Sequence, residues 1–368
     1  MKSIVLVDLQ KQYQAYKAEI DAKIKKVLQG SQYVLGQEVF ALEQKLAQYV
    51  GVKEAVSCAS GTDALILVLM SCGVKQGDEI ITTPMTFIAT AEAIALLGAK
   101  PVFVDVRDDT CNIDATKIAA VITSKTKGII AVDMFGQTAD YDEINRIARK
   151  HKLFVIEDAA QSFGSTYKKK KACSLGSFGC TSFFPAKTLG CYGDGGMVFT
   201  NSKAKADVMR SLRLHGAGKD KYDSIRVGFN SRLDTLQAAV LLAKFKYFPK
   251  ELIQRRKIAE YYSEHLKDVV AVPQTLALNT NVYCSYCIRS SRRDAIKRAF
   301  EQKKIATHVY YPIPLHLQKA FGFLGYRKGD FPMTENICQQ ILAIPMHPFL
   351  TRKEQDFIIG AIRSLVCQ

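Results

Sequence analysis

Between Ala55 and Asp158 the apolar period of the chain switches repeatedly, and that alternation limits the folds open to it. Short β-rich runs, "AVSCA", "EIITT", "PVFVDV", "GIIAVD" and "LFVIED", are separated by "DALILVLMSCG", "ATAEAIALLGA", "DATKIAAVI" and "DYDEINRIARK", which read as helices. Strands that alternate with helices pair in parallel, since each helix crosses back to the same edge of the sheet. The expectation is an α/β domain on a mixed, mostly parallel sheet with helices on both faces. Two later runs, "GCTSFF" and "GMVFT", extend the sheet, and the tight glycine turn between them predicts an antiparallel neighbour. Ligands of such sheets collect at the carboxyl ends of strands.

A long helical stretch follows from about Ser231 to Leu266, broken near Pro249. Beyond it "VYCSYCIR", "RRDAIKRAFEQK", "IATHVYY" and a closing helix after Thr351 predict a smaller α+β unit, with Thr351 to Glu354 as a capping box. At 368 residues the length fits two domains, drawn as 1–250, with an N-terminal helical segment, and 251–368.

Several function classes drop out. The longest apolar run, "ALILVLM", is far short of the roughly 20 residues that span a bilayer, and the N-terminus has no signal-peptide apolar region. The expected location is the cytoplasm, without membrane contact. Ten cysteines then read as reduced, buried thiols; in "YCSYC" strand geometry would send Cys284 and Cys287 to opposite faces, so no metal is expected. The net charge of +16 favours an anionic partner. Nucleic acid is not expected, because the basic residues are scattered and the one cluster, Lys168 to Lys171, reads as a hairpin tip.

Three places carry chemistry. Ser60, Gly61, Thr62 and Asp63 lie where a strand gives way to an apolar helix, and a helix start with a side-chain-free glycine suits a phosphate. Most such caps only start a helix. Asp158 ends "LFVIED", as a strand cap or as a group aimed into the ligand crevice, while Glu157 faces the other way. Lys187 follows "SFFPA", where Phe183, Phe184 and Pro185 would dry its surroundings; desolvation favours the neutral amine, the form that attacks a carbonyl. A surface lysine on a glycine-rich loop is the plainer reading. Together the amine, the carboxylate and the anion seat match the aldehyde, ring nitrogen and phosphate of pyridoxal 5′-phosphate, with Lys187 forming the Schiff base.

These residues and the ordered motifs around them resemble the DegT/DnrJ/EryC1/StrS family of sugar aminotransferases, which have the type I pyridoxal-phosphate aminotransferase fold. The resemblance runs almost end to end, through "VLGQEVFALE", "SGTDAL", "TTPMTFIATAEAIALLGAKPVFVDV", "FGQTADYDEI", "VIEDAAQSFGSTY", "GDGGMVFTN", "RVGFNSRLDTLQAA" and "YYPIPLHLQ". It implies that Lys187 carries the cofactor, that Asp158 pairs with the ring nitrogen, and that Gln161 lies near the phenolic oxygen. Gly61, Thr62 and Ser182 would hold the phosphate, joined by Asn230 from the second subunit of a homodimer with shared sites. Phe87, otherwise a core phenylalanine, would stack on the ring.

Some relatives that remove a sugar hydroxyl carry histidine where Lys187 stands, so lysine implies amino transfer, with L-glutamate as donor. "CTSFFPAKTLGCYGDGG" and "RVGFNSRLDTLQAAVLL" are most similar to the branch that aminates C3 of UDP-2-acetamido-2-deoxy-3-oxo-glucuronate for O-antigen sugars. Arg232, Tyr310 and Tyr311 are then candidate contacts to the sugar. Relatives in that branch usually read His-Tyr-Pro where this chain has Tyr310, Tyr311 and Pro312, and serine where it has Ala186. The alternatives are a 4-keto UDP- or dTDP-sugar aminotransferase and, from another class, a regulator that binds the cofactor without turnover. A nucleotide-binding dehydrogenase is disfavoured, since "GCYGDGG" lacks the G-x-G-x-x-G spacing.

Overall fold

The computed structural model describes residues 3–220 and 222–366; the outermost residues of the two expected domains lie outside them. Strands β1 (Glu54–Cys58), β2 (Glu79–Thr82), β3 (Lys100–Phe103), β4 (Thr126–Val132) and β5 (Phe154–Asp158) follow the predicted order. A short hairpin, β6 (Thr166–Tyr167) and β7 (Lys170–Lys171), precedes β8 (Phe178–Ser182) and β9 (Gly196–Thr200). β10 (Asn279–Thr280) joins that hairpin, and β11 (Tyr286–Arg289) pairs with β12 (Ile341–Ile344) in a separate antiparallel sheet.

The main sheet has seven strands in the order β1-β9-β8-β5-β4-β2-β3. The β2/β3, β2/β4, β4/β5 and β5/β8 pairs are parallel, and β9 runs against both β8 and β1. The antiparallel neighbour expected from the glycines is therefore present, although its connection, residues 183–195, is a loop and not a tight turn. Successive strand residues part to opposite faces, as the pleat requires. Ile80, Ile130 and Val198 pack with Leu67 and Val68 of helix Gly61–Ser71 and Met209 of helix Lys203–Leu212. Their neighbours Ile81 and Ile129 pack on the other face with Tyr141, Ile144 and Ile147 of helix Tyr141–His151, and Phe199 joins Leu42 and Leu46 of helix Gln37–Val50.

The lysine cluster forms the expected hairpin tip: Lys168 and Lys169 take positive φ angles of 48° and 68°, matching the primed turns that suit twisted two-residue hairpins. Pro249 lies in the first turn of helix Phe248–Leu266 and starts it, because proline's missing N–H costs nothing there. Phe248 and Leu252 of that helix belong to the large core, whereas Ile258, Tyr262 and Leu266 pack with Tyr286, Ile288, Leu342 and Ile344 of the small sheet. The closing helix begins with the predicted box: the Thr351 amide donates to Glu354 at 2.7 Å and the Glu354 amide to Thr351 Oγ1 at 3.3 Å.

The segment "IATHVYY" makes only single bridges, Ile305 with Ile4 and His308 with Ala343, and crosses the small unit as irregular chain. Among the described residues no helix is long and apolar enough to cross a membrane, no acidic, histidine or cysteine cluster could hold a metal, and the cysteines are free. Cys284 and Cys287 line different cavities.

Candidate active site

Strand direction assembles the site. The carboxyl ends of β1, β2, β4, β5 and β8 deliver Ser60, Thr86, Val132, Asp158 and Ser182 to one rim of the sheet, and the reversed β9 brings Asp194 to the same rim through its amino end. They border a cavity of about 470 Å³ whose far wall comes from Cys284, His308, Tyr310, Tyr311 and Ala343. Among the described residues lining it, Lys187 is the only lysine or arginine, facing the carboxylates Asp158 and Asp194.

At the phosphate-type seat, Ser60 caps the helix by accepting from the Asp63 amide at 3.0 Å, which leaves the first-turn amides of Gly61 and Thr62 without intrahelical acceptors. A Cβ on Gly61 would meet Ser182 Cβ at 2.8 Å, and one on Gly196 would meet the Ser60 carbonyl at 2.1 Å. Glycine at both places lets the helix start, β8 and β9 close up around a bare backbone. Asp63 does not reach back to close a box; its carboxylate accepts from Ser231 Oγ at 2.7 Å.

Asp158 is 6% exposed, and burial raises its proton affinity. Three contacts oppose that: the Thr90 hydroxyl donates to Oδ2 at 2.8 Å, the Ala160 amide to Oδ1 at 3.3 Å, and the Lys187 ammonium attracts it. Of the two sequence readings, strand cap or crevice group, the cavity position gives the second. Glu157 turns away as expected, accepting from the Cys173 and Leu175 amides at 2.6 and 2.9 Å. Gln161 presents Oε1 to the Phe135 amide at 3.1 Å. Lys187 is half-buried; Phe183 is buried in the large core, while Phe184 is exposed and lines the cavity with Lys187, so the two phenylalanines do not enclose the lysine together.

A sequence profile of the DegT/DnrJ/EryC1/StrS aminotransferase family matches residues 14–363. The chain belongs to that family. A Pseudomonas aeruginosa protein named UDP-2-acetamido-2-deoxy-3-oxo-D-glucuronate aminotransferase is 46% identical over 362 residues, 98% of this chain and 100% of its own length. A pleiotropic regulatory protein of Geobacillus stearothermophilus is 43% identical over 98% of each chain. The crystal structure of ntda from Bacillus subtilis with bound cofactor PMP superposes with a TM-score of 0.90 at 30% identity, covering 96% of this chain and 82% of that one. The aminotransferase has the fold class that its strand alternation predicts.

Of the residues singled out in its sequence, the aminotransferase brings Gly61, Thr62, Phe87, Asp158, Gln161, Ser182, Lys187, Tyr310 and Tyr311 to the one cavity. Asn230 and Arg232 do not line it: Asn230 is exposed, and Arg232 half-buried, on the chain that Ser231 pins to Asp63. Phe87 is 57% exposed, its ring 6.4 Å from that of Tyr311, and is no core residue. Burial pushes the Tyr310 phenol up to about 12, and its ring lies 4.4 Å from that of His308. Sequence reasoning missed Thr86, Thr90 and Asp194, and passed over Cys284 and His308 as structural. The four-residue spacing of Thr86 and Thr90 around a helix start was the legible signal for the first two.

Proposed function

We propose that the aminotransferase moves the amino group of L-glutamate to a keto nucleotide sugar, with UDP-2-acetamido-2-deoxy-3-oxo-D-glucuronate as acceptor, in O-antigen and lipopolysaccharide biosynthesis. Pyridoxal 5′-phosphate is the cofactor. The observation that carries this reading is the meeting of Asp158, Lys187 and the Gly61 helix start in one cavity. The end-to-end match to the Pseudomonas aeruginosa enzyme supports the acceptor.

The residues suit the cofactor by their chemistry: a bare amide seat for an anion, a buried carboxylate for a basic ring nitrogen, and one amine for an aldehyde. The cofactor, when bound, supplies a carbonyl that condenses with amines and a protonated ring that draws electrons from the donor carbon. Gly61, Thr62 and Ser182 would hold its phosphate, with Asn230 of a second copy. Asp158 would keep a proton on a basic ring nitrogen, and Gln161 and Phe87, which line the same cavity, would hold the group in place. Lys187 Nζ would serve as the proton carrier, taking a proton from the glutamate α-carbon and, in the second half, giving one to the sugar carbon that receives nitrogen. Tyr310 and Tyr311 would orient the sugar; Arg232, which does not line the cavity of its own chain, could reach it only from a second copy, as Asn230 would.

The working unit is a cytoplasmic homodimer. Support comes from the exposure of Asn230, outside the cavity of its own chain, and of Phe87 and Phe184 at the mouth. Division into 1–250 and 251–368 is supported by the change of core partners along helix Phe248–Leu266. Tyr310, where the glucuronate branch usually has histidine, favours a second reading, a 4-keto UDP- or dTDP-sugar acceptor.

The test is an absorption scan with pyridoxal phosphate before and after L-glutamate, followed by mass and regiochemical analysis of the aminated sugar. A cofactor band that glutamate converts supports the donor half, and amination at C3 or C4 decides between the acceptors. A band that persists without release of 2-oxoglutarate would replace the enzyme reading with a non-catalytic regulator.

A further inference from the structure

The strand-to-helix connection of residues 83–88 and the first turn of helix Ala89–Leu96 together carry Phe87 and a pair of buried hydroxyls. Thr86 and Thr90 are 2% and 1% exposed, and their Oγ1 atoms lie 2.9 Å apart. The Thr90 hydroxyl spends its single hydrogen on Asp158 Oδ2 at 2.8 Å. Its oxygen can then only accept from Thr86, so the chain of donation runs from Thr86 to Thr90 to Asp158. An ionised carboxylate accepts and cannot donate, so this directed chain matches the charged form of Asp158. The Ala160 amide takes the other oxygen, which fixes the carboxylate plane from two sides.

We propose that Thr90, backed by Thr86, is a positioning residue for the amino-transfer reaction, holding the Asp158 carboxylate ionised and aimed into the cavity. This rests on the cofactor reading above, in which Asp158 meets the ring nitrogen. Thr90 touches neither cofactor nor substrate in this role; it acts through Asp158. The same stretch thus supplies the face that covers the ring and the hydroxyl that steadies the ring's counter-charge, so a shift of one displaces the other.

The experiment compares Thr90→Val, which keeps the shape and removes the hydroxyl, with Thr90→Ser, which keeps the hydroxyl. For each purified protein the melting transition without cofactor, the dissociation constant for pyridoxal phosphate and the rate at which glutamate converts the cofactor band at saturation are measured. Thr90→Val is expected to bind pyridoxal phosphate about tenfold more weakly, the scale of one pKa unit of lost charge stabilisation. It should also convert the band about tenfold more slowly with little change in glutamate KM, and Thr90→Ser should restore both. A Thr90→Val protein that melts like wild type and matches it in affinity and rate overturns the proposal. If Thr90→Val does not fold, Thr90→Cys, a weaker donor, should fall below Thr90→Ser in affinity; equal values overturn the proposal. Failure of the wild type itself to develop a cofactor band would overturn the cofactor reading, and the proposal with it.

Discussion

The two walls of the cavity are built differently. On the sheet side the polar groups are tied to backbone or hydroxyl partners, the buried Asp158 to Thr90 and Ala160 and Gln161 to Phe135, the half-buried Ser60 to Asp63. On the small-sheet side Tyr310, Tyr311 and His308 meet mainly through their rings, along chain that forms no strand. The first wall is pre-organised for one bound group, because strand ends leave little freedom to groups that are hydrogen-bonded and close-packed. The second presents aromatic surface on irregular chain, which can be resurfaced without disturbing the sheet. On the function proposed above, chemistry falls to the first wall and choice of sugar to the second.

The largest expected effect is on the sheet wall. Lys187→Ala should keep the fold and lose at least about 1,000-fold in amino transfer, since both the amine and the proton carrier go. Borohydride should no longer fix pyridoxal phosphate to it; a fixed cofactor in that variant would contradict the assignment. Asp158→Asn should cost about 100- to 1,000-fold in the glutamate half-reaction, the scale of removing one pre-organised charge contact. Tyr310→Phe tests the other wall: about a tenfold change in sugar KM is expected while glutamate conversion of the cofactor stays as in wild type. A change confined to the glutamate step would erase the division of labour.

The walls should also respond oppositely to pH. Behind Asp158 lie two neighbouring buried carboxyls: burial pushes Asp133 up to about 7 and raises Glu157, which also feels the Asp133 charge, well above their unfolded values. Folding there takes up protons that the pair shares, so that stabilisation is full below about pH 4 and is lost as pH rises through the raised values. Asp133→Asn together with Glu157→Gln should flatten the fall of melting temperature above about pH 5. Near the small sheet, burial and the Arg255 charge lower His347 from 6.5 to about 4. Its contribution is present above about 6.5 and lost as pH falls through about 4, so His347→Gln should flatten the acid limb instead. The smallest effect is expected far from both walls: Thr351→Ala removes the helix cap and should cost about 1 kcal/mol in denaturant unfolding, with kinetics unchanged.

The sheet wall was largely legible in the sequence because its parts are local. A strand period ending in Asp158, a helix cap at Ser60 and a lysine before a glycine run each lie within a few residues. What stayed hidden depends on distance along the chain. Thr90 meets Asp158 across 68 positions, and the Ser231 contact that diverts Asp63 from its own helix comes from 168 positions away. "IATHVYY" looked strand-like from its β-branched and aromatic residues, yet its shape comes from what it packs against, and among the described residues single bridges to Ile4 and Ala343 are all the pairing it makes. Phe184 follows the buried Phe183 just past the end of β8, so nothing local tells which of the two faces inward.

The reversal of β9 has a mechanical consequence. Because β8 leaves the sheet and β9 enters it at the same rim, side by side, the loop bearing Lys187 is an arch with both feet bolted to adjacent footings. A parallel β9 would have planted one foot at the opposite rim and left the lysine on a long guy-line. In the arch the lysine can turn its own side chain over a span that both feet hold still, which is what the proton-carrying role proposed above would need.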